Sequence, residues 1–420
     1  MNNKTSAFLS CLLGGLICWY DFVIFGMATA MVFGKLFFTD MSFLVPAMVF
    51  AVGFATRPIG SVIFGHLGDK FGRKPVLIST LLLTAVCTVG VGLLPTYEQI
   101  GIAAPIALVI LRILQTIALG GEWAATSTIM TEYNLESNKR GFWAGMLGST
   151  LLLASVIASA MFTLVTSFGP DEFMSWGWRV PFLFSGVLLI IGLWARAKVL
   201  ETPEYIKAKT LQQTESTPIK TLFTDYWRKV VLAIATSQVS GTFYFGILFF
   251  GVTYLVNKMS MSRAELSQIS LYGFALSLLV VIAYGWIADK LGDSFKGGLR
   301  MYQFNAAAGL LAAYPIFYWL SIGNFIGPML LGVVLISMAG FSAAAVVLTE
   351  IFPTKVRQTG SGISFNVAAV FAGGLMPMAA AAILEYTGSI INVAWLFAAS
   401  CVISLAASVF VTKNDPTTDQ

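Results

Sequence analysis

Twelve times along the chain, a run of about twenty apolar residues ends at charged residues, glycine or proline. About twenty residues is the length an α-helix needs to cross the hydrocarbon core of a bilayer. The runs fall at roughly 10–33, 43–66, 75–95, 101–123, 141–168, 177–197, 230–256, 266–288, 300–320, 325–349, 359–384 and 391–412. The 420 residues are 57% hydrophobic and 11% charged, against about 25% charged in soluble domains. The pattern therefore predicts an all-α integral membrane protein with twelve transmembrane helices. The first run is too long for a secretory signal and lacks a small-residue cleavage site, so it is expected to remain as a span. Residues 198–229 form the only long hydrophilic connection. They separate a six-helix bundle over 1–197 from a second over 230–420.

Basic residues set the orientation. With the N-terminus inside, most of the 25 Lys and Arg fall on the cytoplasmic side, among them seven between Arg196 and Lys229 that are read as part of the central loop. The positive-inside rule then places both termini in the cytoplasm. This scatter through short loops also explains the net charge of +5 better than nucleic-acid binding does. Cys11, Cys18, Cys87 and Cys401 all lie in apolar runs without metal-like spacing and read as packing residues. No metal site or cofactor is expected.

The halves repeat each other. "GHLGDKFGRKP" (65–75) follows the second span and "GWIADKLGD" (285–293) the eighth, so that Gly65/Gly285, Asp69/Asp289, Lys70/Lys290 and Gly72/Gly292 are each 220 residues apart. After the fourth span comes "TEYNLESNKRG" and after the tenth "TEIFPTKVRQTG", which puts Glu132 opposite Glu350 and Arg140 opposite Arg357. Two signatures at nearly one offset indicate parallel structural repeats.

The first of these loops resembles the signature loop of the major facilitator superfamily, and the resemblance covers the whole chain. "RPIG", "RILQTIALGGEW", "WGWRVPF" and "ETPEY" resemble, more narrowly, its metabolite–proton symporters, whose members carry citrate, α-ketoglutarate, shikimate, proline or glycine betaine. The resemblance implies two six-helix domains with a solute site between them at mid-membrane, worked by alternating access. It also implies a gate role for the loops: Asp69, with Arg73 beside it, would brace the eleventh span, and Asp289, with Lys290, would brace the fifth. The second copy departs from the pattern, with Gly292, Asp293 and Ser294 where the first has Gly-Arg-Lys.

Four ionisable residues lie deep in spans: Asp21, Arg57, Arg112 and Glu122. Charges inside a membrane are expensive and usually face a bundle interior or a wet cavity, paired with one another. Arg112, Gln115, Leu119 and Glu122 share one helix stripe, with Glu122 about 15 Å along the axis from Arg112. A carboxylate whose cationic neighbour approaches in one conformation and leaves in another changes its proton affinity with conformation. On that ground Asp21 is the expected proton carrier and Glu122 a second candidate. Arg112 is expected to tune Asp21 or bind a substrate anion. Arg57, between Gly53 and Gly60 on one stripe, is expected to be a structural tie before a substrate contact. In the second half the candidates are uncharged: Gln238 and Tyr244 first, then Asn305 and Asn366. In the superfamily resembled, spans 1, 4, 7 and 10 line the cavity.

Two deep arginines favour a carboxylate-bearing solute, because guanidinium holds carboxylate in a bidentate fork. A zwitterion such as proline or glycine betaine is the alternative, with Asp21 or Glu122 facing its cationic end. The short tail "VTKNDPTTDQ" holds no room for two heptads, which argues against osmosensing through a coiled coil. No nucleophile–His pair, metal-ligand cluster or Walker motif is present, so an enzyme or an ATP-driven pump is not expected. A non-transporting sensor on the same fold is the reading from another class. The expected partners are a small organic solute, protons and the lipid bilayer, with the protein acting as a monomer in the cell (bacterial inner) membrane.

Overall fold

A computed structural model of the chain describes residues 3–39, 44–134, 139–197, 201–211 and 217–414. Every predicted apolar run is helical. In lipid the backbone must satisfy its own hydrogen bonds, and a helix does so within one segment. α1 (Asn3–Ala28), α2 (Leu44–Phe71), α3 (Arg73–Leu93), α4 (Ala103–Glu132), α5 (Arg140–Thr166) and α6 (Arg179–Ala197) form the first half. α7 (Trp227–Met259), α8 (Arg263–Lys290), α9 (Ser294–Ser321), α10 (Ile326–Glu350), α11 (Thr354–Thr387) and α12 (Ile390–Phe410) form the second. Short helices at Pro203–Thr210 and Pro218–Asp225 lie in the central connection. Residues 198–200 and 212–216 of that connection, 135–138 of the fourth-span signature and 415–420 of the tail lie outside the described residues.

Several helices run past their apolar stretches. α2 continues to Phe71, beyond the expected end at 66, so Asp69 sits on the last helical turn rather than in a loop; Asp289 likewise lies on the last turn of α8. At this end the helices pack against protein, and partners across the seam let charged residues extend them. α1 continues through a π-helical turn at Thr29–Phe33 to Leu36, and similar wide turns interrupt α7 (Gly246–Gly251), α10 (Met329–Ser337) and α11 (Phe371–Leu375). The two described ends of the chain approach the face that carries the signature loops, termed the signature face below. Phe8 packs on Trp143 near the start of α5, and the Asn414 N–H bonds the Glu350 carbonyl.

The quoted motifs have structural work on the rims of the first half. At the signature face the Glu201 carboxylate accepts the N–H groups of Arg73 and Lys74 at 3.0 and 3.2 Å, satisfying the first turn of α3. Tyr205 donates to the Lys70 carbonyl at 2.8 Å and lies under the Arg73 guanidinium. At the other face Arg179 donates to the carbonyls of Gly92 and Leu94, closing the end of α3, while Trp178 is buried among Phe33, Phe37 and Phe182.

The halves meet along two main seams, α5 on α8 and α2 on α11, with α4 and α10 meeting between them. Small residues set the spacing. A Cβ added at Gly145 on α5 would stand 2.6 Å from the Val281 carbonyl oxygen and 3.1 Å from Ile282 Cα. The backbone of α8 cannot yield as a side chain would. Gly145→Val is therefore expected to destabilise the folded protein by about 1–3 kcal/mol, read as a lower midpoint of unfolding in detergent. Gly374→Ala, at a position with no atom within 4 Å of the added carbon, is expected to leave the midpoint unchanged.

Candidate functional site

At the signature face each half seats a carboxylate on a helix N-terminus of the other. Asp69 accepts the N–H groups of Gln358 and Thr359 at 3.1 and 2.9 Å and the Thr359 hydroxyl at 2.7 Å, all from the start of α11. Asp289 accepts the N–H groups of Gly141 and Phe142 at 2.7 and 2.8 Å, from the start of α5. Unpaired N–H groups and the helix dipole make these natural seats for an anion. Arg73 ties the first seat inward: it lies 3.5 Å from Asp69 and 3.3 Å from Glu132, and donates to the Gly68 and Thr354 carbonyls. Glu132 also takes Arg357 from the other half at 3.0 Å, and Arg140 pairs with Glu350 at 2.6 Å.

The second copy is built differently. Lys290 turns back over the Trp286 ring at 3.4 Å instead of entering the seam. Ser294 donates to Asp289 at 2.7 Å, replacing the arginine of the first copy. Asp293 caps α9 through the Lys296 N–H. Partial burial works against its charge, but that bond and the nearby Lys413 and Lys296 hold its carboxyl below the usual carboxylate range.

Deep in the first half, the expected charges separate into three environments. Asp21 is fully buried, with Oδ1 accepting the Ser185 hydroxyl at 2.5 Å and Oδ2 without a hydrogen bond. Among the described residues no cation lies within ion-pair distance of it. Arg112 donates to Gln115 at 2.8 Å and faces the rings of Phe22 and Phe25. Gln115 in turn donates to Thr88 and to the Asp21 carbonyl, so the arginine reaches the Asp21 backbone through an amide. Gly53 on α2 leaves the room for Arg112: an added Cβ would stand 2.9 Å from its Nε.

Glu122 has a partner that the sequence reading placed elsewhere. Arg196 belongs not to the central loop but to the last turn of α6, where its side chain is buried. It donates to both Glu122 oxygens and to the Leu77 carbonyl. Thr80 and Thr126 add hydrogen bonds to the same carboxylate at 2.6 and 2.9 Å. The guanidinium fills the gap left by Gly14 on α1. The four deep charges are thus five, and they no longer cancel.

A narrow cavity of about 30 Å³ lies between the halves. Arg57 and Trp19 face it from the first half; Gln238, Ser240, Phe341 and Phe365 face it from the second. A smaller adjoining space reaches Leu119, Glu122 and Asn366. Spans 2 and 11 therefore contribute beside spans 1, 4, 7 and 10. Gln238 lines the cavity while bonding Ser400 and Thr242. Tyr244 does not: it packs among Phe245, Phe274 and Phe341 in the core of the second half. Asn305 holds the Ile336 carbonyl, and Asn366 bonds Ser61 and the Gly120 carbonyl across the α2–α11 seam. Arg57 is no tie to a carboxylate; its guanidinium lies over Trp19, Phe22 and Phe54.

Removing one member of a buried ion pair costs about 3–5 kcal/mol, whereas replacing both is far milder. Arg196→Met is accordingly expected to lower stability by an amount in that range, and Glu122→Gln/Arg196→Met to recover most of it. Unfolding midpoints of the two single variants and the double variant, compared as a cycle, check the pairing.

Comparison with known proteins agrees with this geometry. The family model described as Major Facilitator Superfamily matches residues 11–363. The chain is 31% identical over 428 residues to the shikimate transporter of Escherichia coli (strain K12), covering 98% of this chain and 95% of that one. It is 29% identical over 426 residues to the proline/betaine transporter of the same organism, covering 96% and 83%. The proton:xylose symporter XylE bound to 6-bromo-6-deoxy-D-glucose superposes with a TM-score of 0.74 at 18% identity, over 98% of this chain and 96% of that one. With twelve helices in two repeated halves and the family model matched over residues 11–363, this protein belongs to the major facilitator superfamily.

Proposed function

We propose that the protein is a proton-coupled symporter that moves a small organic carboxylate by alternating access. The observation that carries this reading is Asp21. Burying a charged carboxylate away from any cation costs several kcal/mol, a cost that protonation removes. A conformation that brings water or Arg112 to Asp21 changes that balance, so proton occupancy follows conformation. The shikimate and proline/betaine relatives are named as transporters, which supports solute movement over the sensor and enzyme readings.

In this reading the signature face is cytoplasmic, both termini lie there, and the moving bodies are residues 1–197 and 230–420 joined by 198–229. The contacts of Asp69 and Asp289 close that face and open when the halves rock. Arg112 acts on Asp21 through Gln115. Glu122 is held by Arg196 and serves structure before proton transfer. The protein works as a monomer in the cell membrane. A zwitterion is the second reading, favoured by the proline/betaine relative; the full occupancy of the Glu122 carboxylate argues for the carboxylate instead.

Asp21→Asn removes the titrating group and keeps the Ser185 hydrogen bond possible. In proteoliposomes offered labelled shikimate, citrate or α-ketoglutarate, the variant is expected to lose accumulation driven by an inward proton gradient while retaining exchange of internal for external solute. Gradient-driven uptake equal to that of the parent protein would remove Asp21 from the mechanism.

A further inference from the structure

Asp21 is fully buried and is not among the residues that line the spaces between the halves. Arg57, which borders the cavity, lies over the rings of Phe22 and Phe54. A proton that reaches Asp21 therefore needs a route through the interior of the first half. α3 carries a file of polar groups suited to it. Thr80, Thr84 and Thr88 stand four residues apart on one helix face, and all three are buried. The file joins the surroundings of two buried carboxylates. Thr80 donates to Glu122 Oε2 at 2.6 Å. Thr88 accepts from the Gln115 amide at 2.8 Å, and the same amide donates to the Asp21 carbonyl at 3.3 Å, so Thr88 lies beside Asp21.

Thr84 adds an independent observation. A threonine inside a helix can rest its hydroxyl on the carbonyl one turn back, as Thr80 does on Val76 and Thr88 on Thr84, each at 2.8 Å. The Thr84 hydroxyl makes no such bond. It is buried without a hydrogen-bond partner among the described residues and faces the Cys18 thiol on α1. Oδ2 of Asp21, at one end of the file, is unpartnered too. At the other end, Glu122 and Cys18 border a space of about 10 Å³ between the halves, close to the room that one water needs. Buried polar groups left open along one stripe are groups that water completes.

We propose that Thr80, Thr84 and Thr88 form the route by which protons pass between the space at Glu122 and Asp21. Successive hydroxyls are separated by about 6 Å of helix rise. That is too far for a direct hydrogen bond, so a water spans each gap. Each hydroxyl takes a proton from the water on one side and releases its own to the water on the other. One proton ends on Asp21 Oδ2, and every hydroxyl and water is restored. Glu122 orients Thr80 and holds no proton itself, because Arg196 already completes its charge. The route rests on the reading of Asp21 as the proton site and is independent of which solute is carried. Solute and proton then travel by different paths, one between the halves and one inside the first half.

The test is infrared spectroscopy of the purified full chain in lipid bilayers. The stretch of the protonated Asp21 carboxyl, identified by its loss in Asp21→Asn, shifts when deuterated buffer replaces water. The rate of that shift reports proton access. Thr84→Val keeps the shape and removes the hydroxyl. It is expected to slow the shift at least about tenfold, the effect of about 1.4 kcal/mol on a barrier. Thr84→Ser is expected to match the parent protein. Thr84→Ala opens room that a water takes between Thr80 and Thr88, so its shift is expected to be faster than that of the Val variant. A packing role alone predicts the reverse order, because alanine leaves the larger void, and that order overturns the proposal. Thr80→Val interrupts the file one turn away and is expected to reproduce the slowing, whether or not Thr84→Val folds. Rates in the Val variants equal to that of the parent overturn the route and leave Asp21 standing as the proton site. A carboxyl band that appears at no pH where the protein is folded overturns the route together with that reading of Asp21.

Discussion

A carboxylate seated on the opening N–H groups of a helix from the other half is the contact on which this structure depends. Asp69 holds the start of α11 and Asp289 the start of α5. Each bond is charge-assisted, and such bonds contribute about 1.5–3 kcal/mol apiece. Under the proposed mechanism, these two seats close the signature face and are exchanged for water when the halves rock. The ion pairs around them, Arg73 and Arg357 on Glu132 and Arg140 on Glu350, add direction more than strength, because each partner also fixes where the next one lies. Glycines along α5 and α8 bring the backbones close enough for the second seat to form.

Deeper in, the charges differ in what each lacks. Glu122 and Arg196 complete each other and tie α6 to α4 within the first half. Among the described residues, Asp21 has a hydroxyl and no cation within ion-pair distance, and Arg57 has rings and no anion within that distance. Between the last two stands Phe22, next in sequence to Asp21, whose ring faces both Arg57 and Arg112 at 4.2 and 4.7 Å. Under the proposed mechanism, a change at Arg112 reaches the Asp21 backbone through Gln115.

Much of this was legible in the sequence. Apolar length alone located the twelve helices, and the two signatures at nearly one offset revealed the repeat. The seats of Asp69 and Asp289 followed from resemblance, and the structure supplied their donors. The misreadings have physical causes. Arg196 closes an apolar run and is followed by Lys198 and Glu201, so it looked like loop; its burial depends on Gly14, 182 positions earlier, which no local pattern reports. Tyr244 was placed in the cavity because spacing says which residues share a face of α7 but not where that face points. Arg57 was expected to be a structural tie between close-packed backbones, and the rings that hold it, from α1 and α2, were not visible in the stripe of Gly53 and Gly60. The Asp69 helix outran its apolar stretch because Asp69 finds its partners on the start of α11 rather than in solvent.

The central claim is that a proton and a carboxylate cross together, and the most direct measurement is proton entry on solute addition. The parent protein would be reconstituted in liposomes holding a pH-sensitive dye, with no gradient imposed, and shikimate added outside at constant pH. Empty liposomes and a protonophore would control for leakage of undissociated acid. Coupled entry predicts internal acidification that depends on the protein, saturates with solute and disappears with protonophore. Labelled shikimate entering through the protein with no change in dye signal would contradict it.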